Sequence, residues 1–202
     1  MQPQIPKADY PLVGIQISAD LKTIAHLFIS FMRPLFLVVR LLKILSWLGA
    51  LAFLLYSYYY LPDQIAIHYN HEGVPDNFLS RESFFYIAAG FIILVNVILS
   101  LIGRLVLGLP NQAILVPNAN YWLANKTSRE QLMYILRNWI NALAVILNVY
   151  TMAMLFITLR LHTNQRVFLS DFTWILFAGV ALIIVWAIYL PIRLRFKQTV
   201  EI

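Results

Sequence analysis

The chain has no cysteine among its 202 residues. That removes disulfides, thiolate nucleophiles and cysteine-ligated metals together. Charge is nearly as scarce, with 12% of residues Asp, Glu, Lys or Arg, against about a quarter in ordinary soluble domains. Acids are the rarer sign, at 9 against 15 bases. None of the glycines belongs to a phosphate-cradling loop, and no serine sits in a nucleophile-elbow motif. The net charge of +6 is scattered rather than gathered into a basic patch with interleaved aromatics, so no nucleic-acid partner is expected.

Apolar residues make up 61% of the chain and concentrate in long runs at 35–61, 84–109, 139–161 and 172–190. A hydrocarbon core about 30 Å thick takes some 20 apolar residues at about 1.5 Å each. These lengths predict an all-α integral membrane protein with four transmembrane helices, residues 35–202 forming one membrane domain with short loops. The first run exceeds a signal-peptide core and comes after polar or amphipathic sequence, so a retained anchor is expected.

Before it, residues 1–34 divide in two. Pro3, Pro6, Pro11 and Gly14 indicate an extended lead. Leu21, Ile24, Ala25, Phe28, Phe31 and Met32 then recur at helical spacing, opposite Lys22, Thr23, His26, Ser30 and Arg33. That pattern predicts an amphipathic helix in the membrane interface, ending at a break or kink at Pro34.

The distribution of charge sets an expected orientation. Lys22, Arg33, Arg40 and Lys43 precede or open the first run, and Arg104 closes the second. Lys126, Arg129 and Arg137 precede the third, while Arg193, Arg195 and Lys197 lie after the fourth. The connection between the first two runs holds Asp63, Glu72, Asp76 and Glu82 against Arg81 alone. By the positive-inside rule both termini are cytoplasmic, in a multi-pass protein of the cytoplasmic (inner) membrane. Aromatic residues agree: Tyr56, Tyr58, Tyr59, Tyr60 and Phe84–Tyr86 suit an outer rim, and Tyr121, Trp122, Trp139, Trp186 and Tyr189 an inner one.

The runs contain no acid, no histidine and no base at mid-depth; Arg40, Lys43, Arg104 and Arg160 lie near their ends, where long side chains snorkel. Asn96, Asn141, Asn148, Ser100, Thr151 and Thr158 are expected to bond between helices, at about 0.6–2 kcal/mol each. A proton pump or ion-coupled transporter needs buried ionisable groups, and the sequence speaks against that class.

Chemistry is left to two connections. In the outer one, Ile65, Ile67 and Tyr69 alternate with Gln64, Ala66 and His68, predicting a short extended stretch. Asn70, Gly73, Pro75 and Asp76 supply turn chemistry. Ser80 is placed to cap the second span, with Glu82 in its first turn. A compact cap over the outer helix ends is expected. His68, His71 and Glu72 form the one candidate metal cluster, which Asp63 or Asp76 would have to complete. The bland expectation is that His68 bonds loop backbone while His71 and Glu72 are solvated. In the inner connection Pro110–Asn111 ends the second span and Pro117–Asn118 turns the chain. Tyr121, Trp122 and Leu123 suit the headgroup layer, Thr127 and Glu130 read as a capping box, and Arg129 would face lipid phosphates.

Together these loops resemble a bacterial and archaeal membrane family of unknown function related to the SdpI-like immunity proteins of sporulation-delaying toxin systems. Its outer-loop pattern is L-P-x-x-I-x-x-H-[FY]-N-x-x-G-x-P-D. Leu61, Pro62, Ile65, His68, Tyr69, Asn70, Gly73, Pro75 and Asp76 stand in register with it, and His71 and Glu72 fall at variable positions. Its inner loop carries P-N-[KR]-x-Y-W-L, matched by Pro117, Asn118, Tyr121, Trp122 and Leu123, with Ala119 where a basic residue is usual. The resemblance spans roughly residues 45–160. It implies immunity to a membrane-active toxin or signalling, as in some relatives. With the ordered outer loop, the aromatic-basic inner loop and no catalytic groups, a non-catalytic protein without cofactor is expected, working in the bilayer through other membrane proteins or a membrane-active peptide. The alternatives are an accessory or assembly subunit of a larger membrane complex, and an extracytoplasmic metal-dependent hydrolase using His68 and His71.

Overall fold

In the computed structural model the backbone is described for residues 13–163 and 168–196, and side chains for 36–163 and 168–196. The elements in order are helix α1 (Val13–Tyr60), strands β1 (Gln64–Tyr69) and β2 (Pro75–Ser80), and helices α2 (Arg81–Gly108), α3 (Ala119–Trp122), α4 (Lys126–Thr163) and α5 (Thr173–Arg195). Two units partition the chain. Val39–Gln198 holds the remainder of α1 and every later element, and Met1–Val38 with Thr199–Ile202 contributes, among the described residues, the first part of α1.

Four helical stretches among the described residues are long and apolar enough to cross a membrane: Phe36–Tyr60, Arg81–Gly108, Lys126–Thr163 and Leu169–Arg195. They overlie the four apolar runs and make the chain a multi-pass membrane protein. α1 continues through Pro34, where a break was expected. The side chains that would decide an interfacial placement for residues 21–33 lie outside the described residues, as do residues 1–12 and Lys197.

Ser80 caps α2 as its position predicts: Ser83 N–H donates to the Ser80 hydroxyl at 3.2 Å, and Glu82 occupies the first turn. α4 starts differently from the expected Thr127–Glu130 box. The Asn125 side chain accepts from Ser128 N–H at 2.8 Å, placing the cap two residues earlier. Asn leads Thr as a cap residue, and its carbonyl oxygen reaches the third amide without strain.

Lipid tails are as apolar as leucine, so burial alone gives membrane helices little reason to associate. Polar groups and close fit take over here. Asn96 of α2 and Asn148 of α4 exchange side-chain amide bonds at 2.7 and 3.2 Å; Asn148 also donates to Ser46 of α1 at 3.1 Å. Both asparagines are buried. Apolar packing continues along the same seam, with Ala50, Leu54, Ile92 and Leu155 forming one cluster. Between α4 and α5 each of two tryptophans donates to the other's backbone: Trp139 to the Trp186 carbonyl at 2.9 Å, and Trp186 to the Trp139 carbonyl at 3.2 Å. Two tryptophans expected from sequence at an aromatic rim thus clasp one helix to another.

Candidate functional site

The connection between α1 and α2 folds as an antiparallel hairpin, an addition to the all-α reading. Gln64, Ile65 and Ala66 pair with Ser80, Leu79 and Phe78; the register then slips, with His68 opposite Asn77 and Tyr69 opposite Pro75. Ile67 is left as an extra residue, and such a bulge flips the face on which later side chains of the strand emerge. Strict alternation is therefore lost. Ile65 and Ala66 are both buried while Ile67 is exposed. Ile65 packs with Leu61 and Leu159, and Phe84 flanks them, seating the hairpin on the bundle.

The turn is built by Asn70 and Gly73. The Asn70 side chain accepts from Glu72 N–H at 3.0 Å and Val74 N–H at 2.9 Å, and its backbone N–H donates to the Val74 carbonyl at 2.9 Å. Gly73 stands at φ +77°, a left-handed conformation that a side chain would strain. His71 and Glu72 are exposed at the tip. His68 Nδ1 lies 2.5 Å from Asp76 Oδ1, so its partner is the strand-borne carboxylate rather than loop backbone. The register slip explains the choice, because it brings Asp76 beside His68. No three His, Asp or Glu side chains among the described residues gather as a metal-ligand set. Pro62 is exposed in the entry to β1, Pro75 opens β2 where its missing N–H costs nothing, and burial holds the Tyr69 phenol above its ordinary value.

Two residues that sequence reasoning did not single out fix this cap. Arg81 donates to the Leu61 carbonyl at 3.1 Å, pairs with Asp63 at 3.0 Å and lies 5.1 Å over the Tyr58 ring. One guanidinium thereby joins the end of α1, the base of the hairpin and the start of α2. His162, near the end of α4, takes the Ala66 N–H on Nε2 at 2.8 Å, while Nδ1 contacts the Thr158 carbonyl at 2.7 Å. A carbonyl only accepts, so the proton sits on Nδ1 and Nε2 is the acceptor. A lone polar residue next to the hydrophobic boundary was the available signal, but its partner lies 96 positions away. His162→Ala leaves the buried Ala66 N–H without an acceptor, a loss of about 1–3 kcal/mol. Amide hydrogen exchange at residues 65–67 is expected to quicken in the variant; unchanged exchange would show that the bond does not hold the hairpin.

At the opposite end the inner-loop residues turn inward. Asn118 adopts φ 55° and donates to the Arg195 carbonyl at 2.5 Å. Trp122, 1% exposed, donates from Nε1 to the Leu194 carbonyl at 3.0 Å. Arg129 reaches the Leu109 carbonyl at 2.8 Å and Asn111 Oδ1 at 2.9 Å. Trp122 is packed inside the protein, and Arg129 directs these donors to backbone and to Asn111. The reason is common to both. The last carbonyls of a helix lack intrahelical donors, and these side chains satisfy those at the ends of α2 and α5. Pro117 and Leu123 flank the turn, half-buried; Leu123 and Tyr121 pack against the cluster of Ile114, Trp122, Leu132, Met133, Ile135 and Leu194.

Residues 45–94 match a family model described as Domain of unknown function (DUF1648). No curated protein and no solved structure matches the chain. The matched segment contains the last part of α1, the hairpin and the first half of α2; the inner loop lies outside it.

Proposed function

We propose that this is a non-catalytic protein of the cytoplasmic membrane, both termini inside the cell, that acts through protein contacts as an SdpI-like immunity or signalling protein. The observation that carries the reading is the hairpin. It is fixed at its base by Arg81 and His162, yet presents Ile67, Val74 and Phe78 at 45%, 52% and 48% exposure. A two-stranded sheet also keeps two outer edges, and such edges accept a further strand from an extended peptide. A membrane-active peptide approaching from outside meets that element first. No nucleophile motif in the sequence argues for catalysis.

The orientation rests on the basic residues beside the inner loop and the acids of the hairpin segment. Because the chain has no cysteine, one introduced thiol reports alone. His71→Cys is expected to react with an impermeant maleimide in intact cells, and Asn120→Cys only after permeabilisation; the reverse pattern would overturn the orientation. Replacing residues 64–80 by a Gly-Ser segment of equal length is expected to abolish protection against a membrane-active peptide or the signalling output. If deleting the whole protein changes neither toxin sensitivity nor membrane signalling, the reading fails.

One observation favours a second reading, an accessory or assembly subunit. The most apolar window of the α5 stretch has no buried residue, leaving its surface open to other helices as well as to lipid. Purification in mild detergent discriminates, since a stoichiometric partner set supports the subunit and a lone chain or homodimer opposes it.

A further inference from the structure

Between α1, α2 and α4, at the end of the bundle away from the hairpin, lies a cavity of about 510 Å³. Arg40 and Lys43 of α1, Arg104 of α2 and Arg137 of α4 line it, and among the described residues no Asp or Glu does. The carboxylates that pair with His68 and Arg81 belong to the opposite end. The four bases line one space, so their charges are gathered together. Positive charge gathered in a bilayer-crossing segment is costly unless an anion meets it.

Snorkelling to the surface accounts for part of this arrangement. Arg40 and Arg104 are exposed and free to extend. Lys43 is different. Its ammonium turns inward and donates to Ser100 Oγ at 2.7 Å and Asn141 Oδ1 at 3.4 Å, leaving one of its three N–H groups for a ligand. The site thus offers the guanidinium forks of Arg40 and Arg104 beside a positioned ammonium, a set suited to an anion with several acceptor oxygens.

The cavity's wall identifies the carrier of that anion. Ile44, Val97 and Leu101 line it and are 45%, 55% and 53% exposed, so its side is apolar and open to the hydrocarbon layer. We infer that the cavity between α1, α2 and α4 binds the phosphate of an anionic phospholipid headgroup, with the acyl chains lying along Ile44, Val97 and Leu101. A zwitterionic lipid is disfavoured, because among the described residues no acid lines the cavity to meet its ammonium. The inference does not depend on the hairpin or on which face of the membrane is cytoplasmic.

The test uses the full chain in detergent after exhaustive delipidation. Phosphorus analysis and native mass spectrometry are expected to find about one anionic phospholipid retained per chain. Added phosphatidylglycerol is expected to raise the thermal unfolding midpoint, and phosphatidylcholine is not. Lys43→Gln and Arg104→Gln should each weaken phosphatidylglycerol binding about fivefold, the worth of one basic side chain at a charged lipid. Arg193→Gln, whose guanidinium lies outside the cavity beside Tyr189, should leave binding unchanged. Retention measured on the unaltered chain keeps the test decisive if a variant fails to fold. Equal stabilisation by phosphatidylcholine, or undiminished binding by both cavity variants, overturns the site. Full stabilisation by inorganic phosphate or glycerol phosphate alone overturns the lipid assignment.

Discussion

Trp122→Ala is expected to lower stability by about 3–5 kcal/mol, the range for removing a fully buried tryptophan. The indole is 1% exposed and packs among Ile114, Leu132, Met133, Ile135 and Leu194, where the short loop helix meets α4 and the end of α5. Truncation opens a cavity there and also strips the Leu194 carbonyl of its donor. Trp122→Phe separates the two effects. It keeps most of the volume and loses the N–H, so about 1 kcal/mol is expected. Unfolding by SDS in mixed micelles, monitored by circular dichroism, measures both. A loss below about 1 kcal/mol for the alanine variant, no more than one hydrogen bond, would return Trp122 to the lipid interface suggested by its composition.

Gly179→Ala is expected to be the most damaging single-methyl change in α5. A β-carbon built at Gly179 would stand 2.1 Å from Tyr150 Cε2 and 2.3 Å from Cδ2, so the ring of α4 lies against the glycine backbone. Overpacking of this kind costs about 1–3 kcal/mol. Relief requires Tyr150 to swing into the groove of about 330 Å³ that it lines together with Gly179, giving up the 3.4 Å contact of its hydroxyl with the Leu176 carbonyl. The double variant Gly179→Ala/Tyr150→Ala should be less unstable than the sum of the singles, because the clash disappears with the ring. Strict additivity in that cycle would mean that the two residues do not touch.

The first of these expectations could not have been reached from the sequence. Runs of apolar residues announce helices long enough for a bilayer, and the Ser80 cap and the Asn70–Gly73 turn are visible because their chemistry is local. The hairpin was only half legible. Alternation suggested an extended stretch, but β2 (Pro75–Ser80) carries one long apolar pair, Phe78–Leu79, and its pairing depends on a bulge at Ile67 that no pattern encodes. The protein partners of Trp122 and Arg129 were hidden for a related reason. Near a span end, tryptophan and arginine commonly meet headgroups, and the competing demand, unpaired carbonyls at the ends of α2 and α5, appears only once distant helices are adjacent. Lys43 hid in the same way. Its position near a run's end suggested snorkelling, whereas Ser100 and Asn141 hold it inward. His162 drew no attention and Arg81 counted only as the one base among the outer acids, because their backbone partners are distant in sequence.

The paired indoles of Trp139 and Trp186 limit how the bundle can move. Each ring is tethered to the main chain of the facing helix, so displacing α5 by one residue along α4 ruptures both tethers at once. Axial sliding of these two rods therefore costs both bonds together, about 1–3 kcal/mol.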